Sequence, residues 1–88
     1  MFLTLNIDRD ESCLYTARVL DGHVEVTDFQ ANSVASAIRE TAQEGFGAIA
    51  FHIWYGGISI GTTPVFHMLN EPGVLADRLM SLHGSIRG

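Results

Sequence analysis

Ala48-Ile49-Ala50-Phe51-His52-Ile53-Trp54-Tyr55 is the stretch on which the fold turns. It is rich in β-formers, interrupted only by His52, and too apolar to lie at a surface on both faces, so it reads as a central strand. Alternation sends Phe51, Ile53 and Tyr55 to one face and His52 with Trp54 to the other. Both faces cannot belong to one small core. Either the second, C-terminal helix covers one side, or His52 and Trp54 stand exposed as an anchor, tryptophan being a residue type that dominates protein interfaces.

Working upstream, Gly45 suits the left-handed position that ends a helix. Before it, Val34, Ala35, Ile38 and Ala42 fall on one stripe, with Arg39, Glu40, Gln43 and Glu44 opposite, which predicts an amphipathic helix over 34–44 capped by Asn32 or Ser33. Leu3, Leu5 and Ile7 alternate with Thr4 and Asn6, and a polar turn follows from Asp8 to Ser12. The pattern predicts a second strand over Cys13–Leu20 and a third over His23–Phe29. Asp21-Gly22 between them is a strong hairpin signal.

Downstream, Gly56-Gly57 turns the chain into a short strand, Ile58-Ser59-Ile60, and Thr62-Thr63-Pro64 breaks it. Val65–Leu69 reads as a further strand. Pro72 then opens a second helix in which Val74, Leu75, Leu79 and Leu82 recur at helical spacing as far as Gly84. The expectation is a single α+β domain over residues 1–88, of order βββαβββα, with a small antiparallel-rich sheet and two helices packed on one face.

The chain has 88 residues, 47% hydrophobic and 17% charged, which bounds it to one modest core and argues against disorder. No apolar run reaches the roughly 18 to 20 residues of a membrane span. The first residues lack the basic region and cleavage site of a signal peptide, so the expected location is the cytoplasm. A lone Cys13 allows no internal disulfide, fits a reducing compartment, and is expected as a buried inert thiol. Net charge is −5, and all five basic residues are arginine. With no basic stretch to track phosphates, direct nucleic-acid binding is not expected.

Gly57-Ile58-Ser59-Ile60-Gly61 matches the G-x-S-x-G pattern, but a nucleophilic serine there needs a strained strand-to-helix turn, and Thr62-Thr63-Pro64 follows instead. His23, His52, His67 and His83 show no metal-ligand spacing, so no metal or other cofactor is expected. Asp8, Asp10 and Glu11 form the densest acidic cluster but lack the glycine and further oxygen ligands of a calcium loop. Its functional reading is a contact for a basic partner, joined by Glu25 or Asp28. The glycines at 45, 47, 56 and 57 precede no helix N-terminus, so they cradle no phosphate.

The run Val24-Glu25-Val26-Thr27, the cap at Asn32-Ser33, the helix to Glu44 and the strand to Tyr55 resemble the layout of several small phage-encoded anti-CRISPR inhibitors. The resemblance covers about half of the chain, as a pattern. It implies a non-enzymatic, acidic protein that blocks a large basic partner such as a CRISPR effector complex. The chain resembles HicB-type antitoxins equally loosely, and the long aromatic strand departs from their pattern. The expected partner-binding residues are Asp8, Asp10, Glu11, His52, Trp54 and Tyr55. The alternative is a homo-oligomeric domain, such as a homodimer, that buries a sheet face or edge and forms a ligand pocket between subunits.

Overall fold

A computed structural model describes residues 2–10 and 14–87. Three strands, β1 (Phe2–Arg9), β2 (Tyr15–Asp21) and β3 (Val24–Ala31), precede helix α1 (Val34–Glu44). Strands β4 (Ala50–Tyr55) and β5 (Ile58–Pro64) follow, then helices α2 (Val65–Asn70) and α3 (Pro72–Arg87). The sheet runs β3-β2-β1-β4-β5. Among the described residues only the β1–β4 pair is parallel. The domain is α+β with its helices on one face, as the sequence suggests, but the described residues form five strands and three helices in place of six and two. Glu11, Ser12 and Cys13 lie outside the described residues, so the expectations for the Glu11 carboxylate and the Cys13 thiol are not addressed by the structure.

Alternation sets the sheet's two faces. Leu5, Ile7, Phe51 and Ile53 are completely buried on the helix side, each such side chain contributing about 1.5 to 3 kcal/mol. A one-residue slip of either strand would exchange them for Thr4, Asn6, His52 or Trp54, so the β1–β4 register is tightly specified. α1 carries the chain from β3 across the sheet to β4, buries Val34, Ala37, Ile38 and Ala42, and packs on β1, β2 and β3 and against α2 and α3. Ser33 is its cap, its Oγ accepting the Ser36 N–H at 3.0 Å. Thr41 is buried on the same helix without cost, because its hydroxyl donates to the Ala37 carbonyl at 2.8 Å.

Val65–Leu69 is helical, a correction to the expected sixth strand. A short apolar run is compatible with either state, and tertiary packing decides here. Coiling the segment buries Met68 completely and leaves Phe66 62% exposed, whereas a strand would point both to the same side. Pro72, lacking an N–H, separates α2 from α3. α3 continues through Gly84, and its buried stripe is Leu75, Ala76 and Leu79. Val74 and Leu82, expected on that stripe, are exposed. No helix among the described residues is long and apolar enough to cross a membrane.

Candidate functional site

The face of the sheet opposite the helices is uncovered, and the strand registers define what it displays. One row across it reads Asp28, Arg18, Asn6, Trp54 and Ser59. A second reads Glu25, Leu20, Thr4, His52 and Thr62, and a third sets Asp8 beside Thr16 and Gln30. Phe2, 57% exposed, extends the apolar part at the end of β1. Trp54 remains 39% exposed near the middle, its indole on the same face as the Asn6 and Ser59 side chains. The His52 ring is held by the Thr62 hydroxyl, with Oγ1 2.9 Å from Nδ1. Arg18 lies 4.0 Å from the Glu25 carboxylate, both half exposed, a pair of little energetic weight that still sets the local charge pattern.

This arrangement brings together Asp8, His52 and Trp54 of the expected contact residues, on adjacent strands. Asp8 belongs to β1 itself rather than to the turn after it, and Asp10 follows the strand, half buried. Asp28 and Glu25 join the same face from β3. Tyr55 does not. It is 7% exposed on the helix side, its ring 6.1 Å from Tyr15 and 5.0 Å from His83. Tyr55 is therefore a core residue, which corrects its place among the contact residues; strand alternation separates it from Trp54.

Ser59 lies within the edge strand β5, where its Oγ accepts the Gly61 N–H at 2.9 Å. The serine thus braces a local irregularity of the β4–β5 ladder. Gly56 and Gly57, with φ of 56° and 86°, form the hairpin turn before it. His67, expected in a strand, is on α2, and His83 rests on Tyr55. No three metal-ligating side chains converge among the described residues.

A second surface feature escaped the sequence reading. A groove of about 410 Å³ runs between β3 and the C-terminal end of α1, lined by Phe29 and Phe46 with Gln30, Glu40, Gln43 and Glu44. Phe46 is the only described non-glycine residue with positive φ, at 52°, and stands between Gly45 at 71° and Gly47 at 75°. Three successive residues of positive φ fold the chain back on the helix end, and the Phe46 N–H donates to the Glu44 carbonyl at 2.8 Å. A phenylalanine in this conformation costs roughly 1 to 2 kcal/mol. Packing of its ring against the core offsets that cost. The signal available in the sequence was Gly-Phe-Gly immediately after a helix, which can be read as more than a stop.

No family model, no curated protein and no solved structure matches the chain, so the functional reading rests on these surfaces.

Proposed function

We propose that the protein acts by binding another protein, without catalysis, through the uncovered face of its sheet. The observation that carries this reading is the exposure of Trp54 on the strand paired in parallel with β1. An antiparallel-rich sheet can leave one face in water, where alternation places polar side chains, and a partly exposed tryptophan among them is the residue type that anchors interfaces. Here Trp54 and Phe2 supply apolar anchor area on one side, while Thr4, Asn6 and His52 supply hydrogen-bonding groups. Asp8, Glu25 and Asp28 outnumber Arg18 on the same face, and the chain carries a net charge of −5. Those charges favour a basic partner and would speed its association.

The narrower form of the proposal is an inhibitor that occupies the nucleic-acid-binding or partner-binding surface of a CRISPR effector. Pattern resemblance and the acidic balance support it, and a lone cysteine fits action in a reducing cytoplasm. The test is capture of purified effector complexes by the tagged protein, compared with its Trp54→Ala and Asp8→Asn variants. Loss of a basic partner in both variants, with their circular dichroism unchanged, is the expected result. Binding that is indifferent to both substitutions would remove the open face from consideration.

A second reading, self-association, has its own observation. Phe66, Leu69, Val74 and Met80 are all exposed on α2 and α3. Light scattering at micromolar concentration separates the two readings: a dimer dispersed by Phe66→Ser with Val74→Ser favours self-association, and a monomer counts against it.

A further inference from the structure

We infer that the edge of β3, together with the groove beside it, accepts an extended lysine- or arginine-bearing segment of a partner protein as a sixth strand. This surface is distinct from the uncovered sheet face. β3 is a terminal strand of the sheet, paired only with β2, and spans eight residues. It contains neither proline nor lysine, and its one irregularity, the register shift opposite Val19 and Leu20, lies toward its first residues, leaving residues 28–31 as a regular edge beside the groove. A strand added there would lie roughly 4.8 Å beyond β3 and send every second side chain to the helix side. On that side, the groove presents Phe29 and Phe46 as an apolar floor and Glu40 and Glu44 as carboxylates.

Charge selects the occupant. Glu40 and Glu44 make no ion pair among the described residues. They stand in the last turn and a half of α1, at the negative end of the helix dipole, with no basic residue in the final turn. No arginine lines the groove. The aliphatic stem of a lysine or arginine can cover the two rings while its head reaches the carboxylates. A second copy of this chain fits poorly, because its β3 carries no lysine or arginine and brings a further Glu25 and Asp28 to an already acidic edge. Main-chain hydrogen bonds to an edge, with alternate side chains read by a groove, are a recurrent mode of peptide recognition.

The test uses a fluorescein-labelled peptide of alternating valine and lysine, eight residues long to match β3, with an alternating valine–glutamate peptide as control. Anisotropy measures affinity, and ¹⁵N spectra of the full chain locate the site. The expected result is binding of the lysine peptide alone, with shifts concentrated in β3 and the end of α1 and the Trp54 indole signal unmoved. Glu40→Gln with Glu44→Gln should weaken binding roughly tenfold. Glu71→Gln with Asp77→Asn removes the same charge near α3 and should leave binding within about twofold. No binding, equal losses in the two double variants, or shifts centred on Trp54 and His52 would overturn the inference. Shifts at Trp54 would assign the peptide to the open face, so failure here and failure of the proposed function are distinguishable.

Discussion

Phe46 offers a test in which the usual ranking of two substitutions reverses. Phe46→Ala and Phe46→Gly remove the same aromatic ring, so their difference isolates the backbone at φ 52°. Alanine retains the Cβ clash of the left-handed conformation, about 1 to 2 kcal/mol, and glycine does not. Glycine's greater freedom in the unfolded chain returns about 0.4 to 1 kcal/mol of that advantage. The glycine variant should therefore be the more stable by roughly 0.5 to 1 kcal/mol, which for a domain of this size is about 3 to 6 °C in Tm. Loss of the half-buried ring costs on the order of 1 kcal/mol in both variants. The glycine protein should thus remain near the wild type, while the alanine protein falls below it. Thermal unfolding by circular dichroism, with urea denaturation as a check, measures the order. An alanine variant equal to or above glycine would refute the strain argument. If the groove binds as inferred, the stable glycine variant should still lose affinity for the valine–lysine peptide.

Gly56→Ala should destabilise more than Gly57→Ala, although both sites have positive φ, because a Cβ at Gly56 comes 2.8 Å from His83 Nε2 and one at Gly57 meets nothing within 4 Å. The excess, about 0.5 to 1.5 kcal/mol for displacing the His83 ring from Tyr55, should vanish in a His83→Ala background when followed by urea denaturation. Met68→Ala should cost about 2 to 5 kcal/mol and Phe66→Ala less than about 0.5 kcal/mol by the same measurement. Equal costs would argue for a strand over Val65–Leu69.

The uncovered face could be read in part from the chain alone. Period-two alternation in Leu3–Ile7 and Phe51–Tyr55 is local, so it places His52 and Trp54 opposite Phe51 and Ile53 without knowledge of the neighbours. Which face the helices cover is not local. Tyr55 is adjacent to Trp54 in sequence but on the opposite face, and its burial follows from the docking of α3, whose His83 closes over it. The joining of Asp8, Asp28 and Trp54 on one surface required the order β3-β2-β1-β4-β5, a property of the crossover through α1 rather than of any segment.

Periodicity and φ preference over a few residues were enough to place the first three strands, the helix over 34–44 with Asn32 or Ser33 as its cap, a central strand ending at Tyr55 and the glycine turns; that the cap is Ser33 is a finding of the structure. Long-range packing, by contrast, makes Val65–Leu69 coil, sets β1 and β4 in parallel, and holds Phe46 at positive φ beside the edge of β3. Those outcomes depend on which apolar surfaces meet across the core, and burial there outweighs local preferences of about 1 kcal/mol.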